Sequence, residues 1–305
     1  MTEALLPDWW DDSLSSVPAN RLMAEVSIAR MLGLQLSQLS DPKQSVSFPL
    51  LDQFRLKHSK RSKPKEIAPS ILVAEQAGSV LSRSVRVPAF TGPKAVGAVR
   101  QEILETQSAV SLNALLNFAW SAGIVVFHLK RFPKKAKKFA GLAMFCEGTP
   151  VIALASARDG APWIAFHLAH ELGHILLGHV TQGSGVLVDM DLDAMDDDVQ
   201  EREADRFACE LLTGFSAPQA QAQSGMTAER LVQAVGFQSK KLKADPGVVA
   251  LFYGRNAKRM AVAQSALNRM GLHAGAHAMV QAALESRLVD EPSELANQFL
   301  ALTRA

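Results

Sequence analysis

Apolar positions recur along this chain with two periods, dividing it into a helical start, a mixed centre and a helical end. Leu22, Val26, Ala29 and the stretch Leu32 to Leu34 recur at helical spacing, which predicts helix over residues 18–40, stopped by Asp41-Pro42. Inside it, Ile28 to Leu34 carries the small residues and glycine of a turn between two helices. A plain helical hairpin and part of a helix-turn-helix both take this form. Val96, Val99, Ile103 and Leu104, then Leu112, Leu115 and Leu116, predict a helical segment over residues 94–121, interrupted by Gly123. Ile124 to Phe127 is rich in β-branched residues and predicts a strand. Leu142 to Cys146 and Val151 to Ala155, separated by Glu147-Gly148-Thr149-Pro150, predict a β-hairpin. Ala161 to Leu177 is helical, with Pro162 in its first turn and Gly178 just past its end. A second helix is predicted from Val199 to about Leu212, and mostly helix from Thr227 onward.

Composition adds few constraints. With 305 residues, 48% hydrophobic and 20% charged, the chain is globular in type and long enough for one large domain or several small ones. The expected division is a helical region with a basic linker over 1–66, a catalytic domain over 67–215 and a helical region over 216–305. The net charge of +2 gives no overall case for nucleic acid, but the basic residues are clustered. Residues 55–65, around Pro64, form either a solvated hinge or a phosphate-contacting arm. Lys130 to Lys138 and Ser239 to Lys243 are further basic segments. The N-terminus is acidic and unlike a secretory signal, and no run approaches the roughly 18 apolar residues of a membrane span. The two cysteines, Cys146 and Cys209, suit a reducing compartment, so a cytoplasmic protein without a membrane partner is expected.

The chemistry centres on His170-Glu171-Leu172-Gly173-His174. Helix residues four apart share a face, so His170 and His174 can direct imidazole nitrogens at one Zn2+ ion, and Glu171 can reach a water in the ion's remaining position. A catalytic zinc takes three protein ligands. The next helix offers Glu201-Arg202-Glu203-Ala204-Asp205. Glu201 is the preferred third ligand and Glu203 the alternative. Asp205, one turn after Glu201, can hold the distal nitrogen of a ligand histidine. His167, His179 and Tyr253 stand open as donors to the developing oxyanion. Cys146, at a strand end, is either a buried structural thiol or a thiolate able to take the metal's open position. Asp189, Asp191 and Asp193 have calcium-loop spacing, but Ala194 and Gln200 stand where such a loop needs glycine and glutamate, so a polar loop is predicted. The hairpin is expected to present a strand edge on which a peptide can lie.

His170 to His179, Glu201 to Ala208 and Glu210-Leu211-Leu212, preceded by Phe139-Ala140-Gly141 and Pro150 to Leu154, resemble the ImmA/IrrE family of metallo-endopeptidases over roughly residues 100–215. Ala244 to Ala250 resembles a segment that follows the core in members fused to a helix-turn-helix. The resemblance implies an α+β fold: a zincin-like core, with a small sheet packed on the HExxH helix, between mostly helical N- and C-terminal regions. It also implies a gluzincin-like zinc site with His170, His174 and Glu201 as ligands and Glu171 as base. The implied substrate is a helix-turn-helix repressor, often of the Xre type, whose cleavage switches on a stress, mobile-element or defence response. Two departures stand out. Asp205 occupies a position where members often have asparagine, and Thr213-Gly214 follows the Glu-Leu-Leu. A second reading is a DNA-binding regulator with a sensory or inactive peptidase fold, drawing on the basic segments and on residues 16–41.

Overall fold

The computed structural model describes residues 5–6, 10–40, 54–56, 64–182, 186–189, 199–217 and 225–304. The chain opens with α1 (Pro18–Leu32) and the short α2 (Leu36–Ser40), joined through Gly33 in the left-handed conformation. Strand β1 (Phe54–Leu56) is followed by the long α3 (Pro64–Arg83). Residues 54–56 and 64–65 are thus strand and helix rather than linker, while residues 57–63 of the basic stretch lie outside the described residues. The helical segment over 94–121 is two helices, α4 (Val96–Thr106) and α5 (Leu112–Ser121). Gln107 is extended, Val110 pairs with Lys243 and Asp245 through its backbone, and the Ser111 side chain caps α5 by accepting from Ala114 N–H.

The centre is a mixed sheet of β1, β2 (Val125–His128), β3 (Gly141–Cys146), β4 (Thr149–Leu154) and β5 (Val186–Asp189), in the order β1-β5-β3-β4-β2. β3 and β4 form the hairpin, with Met144 opposite Val151, and β2 runs parallel to β4. The hairpin does not present the edge expected of it: β5 pairs antiparallel with Gly141 to Ala143, and β2 covers β4. Edge positions fall to β1 and β2 instead, because a chain segment distant in sequence completes the ladder.

Both sheet faces are covered, which is why β2 reads as a continuous apolar run. Val126, Ala143, Ile152 and Leu154 face α5 and α6 (Ala161–Leu176). Val125, Phe127, Leu142, Met144 and Val151 face α3 and the last helix, α12 (Glu294–Thr303). Gly78 lets α3 sit against the sheet: a Cβ there would meet Met144 Cε at 2.2 Å. α7 (Val199–Thr213) packs along α6, followed by α8 (Ala228–Leu242), α9 (Pro246–Asn256), α10 (Met260–Arg269) and α11 (Ala276–Glu285). Arg100 of α4 donates to the carbonyls of Leu211 and Leu242, satisfying the C-terminal turns of α7 and α8 together. Among the described residues, no helix is long and apolar enough to cross a membrane.

Candidate metal centre

Every residue of α6 from Pro162 to Leu176 is buried, the HExxH residues included. Such a helix needs its polar groups partnered, and α7 meets that need. The two helices approach closely at Gly173, where a Cβ would stand 3.2 Å from both Ala204 Cα and Phe207 Cβ. That contact brings Glu201, itself 4% exposed, up to the two imidazoles.

The structure gathers His170, His174 and Glu201 so that their ligand atoms lie within 4.8 Å of one another. His170 Nε2 and His174 Nε2 are 3.1 Å apart. Glu201 Oε2 is 3.3 Å from His170 Nε2, and its Oε1 is 3.6 Å from His174 Nε2. Ligand atoms on a tetrahedral ion with bonds of 2.0–2.1 Å stand about 3.4 Å apart. The two imidazoles, and the Glu201 oxygen nearest each of them, stand at separations close to this, and two imidazoles with one carboxylate form a donor set that suits a divalent metal ion.

The far side of each imidazole is also held. His170 Nδ1 is 3.0 Å from Asp205 Oδ1, as the spacing of Glu201 and Asp205 predicts. His174 Nδ1 is 3.1 Å from His179 Nδ1, and His179 Nε2 is 3.0 Å from Glu203 Oε2. With Glu203 accepting from His179 Nε2–H, His179 Nδ1 is an acceptor for His174 Nδ1–H, which leaves the His174 Nε2 lone pair to a metal. The turn at Gly178, with φ of 78°, folds His179 back beneath His174.

Several sequence-based candidates move. His179 is not aimed at a reacting carbonyl, since both its nitrogens are engaged by His174 and Glu203. Glu203 lies outside the ligand triangle and supports His179, a role its alternation with Glu201 did not reveal. Cys146 cannot reach the metal. Side chains alternate along β3, so Cys146 faces the α3 side with Met144, and burial pushes its thiol up to about 12. His167 is buried one turn before His170 and outside the triangle, and Tyr253 is buried on α9. Residues 190–198, with most of the calcium-like spacing, lie outside the described residues. Glu171 is fully buried, and its carboxylate lies against the start of β3: a Cβ on Gly141 would meet Oε1 at 2.2 Å.

Among curated proteins, none matches the chain. Residues 120–248 match the family model of the IrrE N-terminal-like domain, a peptidase family.

Proposed function

We propose that this chain, a member of the ImmA/IrrE family of peptidases, is a zinc-dependent endopeptidase with His170, His174 and Glu201 as metal ligands and Glu171 as general base. The observation that carries this reading is the cluster of His170, His174 and Glu201, with the two Nε2 atoms 3.1 Å apart and one Glu201 oxygen 3.3 Å from the first and the other 3.6 Å from the second, beside the buried Glu171. When bound, the ion acts as a Lewis acid and lowers the pKa of its water toward about 7. The Glu171 carboxylate, held in place by packing against Gly141, accepts the proton of the attacking water and passes it to the leaving amine. Asp205 and the Glu203–His179 pair fix the imidazole tautomers, so that neither ligand must turn during the reaction.

The substrate we propose is a helix-turn-helix repressor, and its cleavage the switch for a stress, mobile-element or defence response. The motifs His170 to His179 and Glu201 to Leu212 support this by their resemblance to repressor-cleaving peptidases. The test is incubation of the zinc-loaded chain with the repressor encoded beside its gene. The expected result is discrete cleavage that a chelator abolishes and that Glu171→Gln abolishes with zinc still bound. Equal cleavage by the Glu171→Gln protein would contradict the assignment.

A further inference from the structure

Next to the ligand triangle lies a cavity of about 390 Å³ that the proposed chemistry does not use. Its walls include Phe166 of α6, Arg202, Asp205 and Arg206 of α7, and Phe252 and Arg255 of α9. Helical spacing explains the gathering. Arg202 and Arg206 are four apart, with Asp205 between them on the same side of α7, and Phe252 and Arg255 are three apart on α9. The cavity therefore presents three guanidinium groups and one carboxylate. That carboxylate already has Oδ1 directed at His170 Nδ1.

Two walls of the cavity continue into the metal centre. The Phe166 ring stacks with the His170 ring at 6.4 Å between centroids and 27° between planes. The Arg255 guanidinium lies 4.5 Å from the centre of the same Phe166 ring, which fixes its plane, and Phe252 meets Phe166 edge-on at 5.7 Å. An occupant of the cavity thus sits one side chain away from a ligand histidine. Its preferred charge is negative, because cations outnumber acids in the lining. Guanidinium groups pair with carboxylates through two parallel hydrogen bonds. The volume is ample for an aspartate or glutamate side chain together with ordered water.

From this we infer that the cavity is a specificity pocket for an acidic side chain, aspartate or glutamate, close to the scissile bond of the substrate. The inference rests on the peptidase reading above, and two kinds of measurement separate the two. In the first, the zinc-loaded chain digests a proteome-derived peptide library and the cleaved ends are sequenced. An acidic residue should be enriched at one fixed position within about three residues of the cut. A reporter peptide with that residue should lose about tenfold or more in kcat/KM with Arg206→Gln, as expected for loss of one charge-assisted hydrogen bond. Its glutamine counterpart should change by no more than about twofold. Arg206 is exposed, so the fold tolerates the change. Cleavage without an acidic preference, or equal loss on both reporters, overturns the pocket while leaving the peptidase assignment standing. The second measurement needs no turnover: calorimetric titration of the zinc-loaded chain with N-acetyl-glutamate amide, N-acetyl-glutamine amide and inorganic phosphate. Binding of the glutamate derivative alone, lost with Arg206→Gln, upholds the pocket even if no library peptide is cut. Equal binding of the two amides overturns it, as does preference for phosphate, which would make this a site for a free anion.

Discussion

At Gly141 the backbone of β3 leaves just the space that the Glu171 carboxylate fills, so a single methyl group is a direct test of where the base must sit. Gly141→Ala should cut hydrolysis by about a hundredfold, since misplacing a catalytic group by about 1 Å costs on that order. Zinc content should be unchanged, because Glu171 is outside the ligand triangle. Retained activity would mean that this carboxylate does not act where it is packed. The groups behind the ligands can be tested separately. Asp205→Ala and His179→Ala should each weaken zinc binding by about 10–100-fold in competition with a chromogenic chelator, the usual loss for such partners. Glu203→Gln should have a smaller effect in the same direction. At this scale the gathering of His170, His174, Glu201 and Asp205 was legible, because spacing of three or four on a helix states which side chains share a face. Glu203 and His179 were not, because their pairing depends on the left-handed turn at Gly178 and on which helix lies beneath it.

Among the elements, the α6–α7 contact is what brings Glu201 up to His170 and His174. Gly173→Val would push Ala204 and Phe207 away and carry Glu201 with them. Overpacking of this kind costs about 1–3 kcal/mol, so both thermal midpoint and zinc affinity should fall together. If the midpoint fell while zinc affinity held, the helix contact would not be what positions Glu201. Helices α6 and α7 and the β3–β4 hairpin were readable because each has a length, a period and a terminator of its own. α3 was hidden for a different reason: Pro69 lies inside it, and a proline within a periodic stretch reads as the end of a helix. Strands β1 and β5 are three and four residues long, too short to register as a pattern; β5 reaches β3 across more than forty residues and β1 reaches β5 across more than a hundred.

For the molecule as a whole, distant segments are tied to the sheet by buried polar contacts as well as by the two apolar cores. His128 at the end of β2 and His277 on α11 stack at 3.8 Å, and each donates from Nε2 to the Ser156 carbonyl, at 3.0 and 3.1 Å. Burial, helped by the neighbouring His277, pushes His128 down to about 3. Below its unfolded pKa of about 6.5 the unfolded chain binds a proton that the folded chain refuses, so stability drains away as pH falls from there towards 3. His128→Gln should remove about 2 kcal/mol of the stability lost between pH 7 and pH 5, read from denaturant midpoints. An unchanged pH profile would contradict the buried neutral imidazole. The fold class was legible at this scale, whereas the covering of the second sheet face by α3 and α12 together was not, since it joins segments more than two hundred residues apart.

The central claim is that one zinc ion is held by two neighbouring helices. Anomalous diffraction at the zinc absorption edge from zinc-soaked crystals tests it most directly. The prediction is a single strong peak about 2.0–2.2 Å from His170 Nε2, His174 Nε2 and a Glu201 carboxylate oxygen. A peak that excluded Glu201, or a zinc-saturated crystal with no peak between those three side chains, would contradict it.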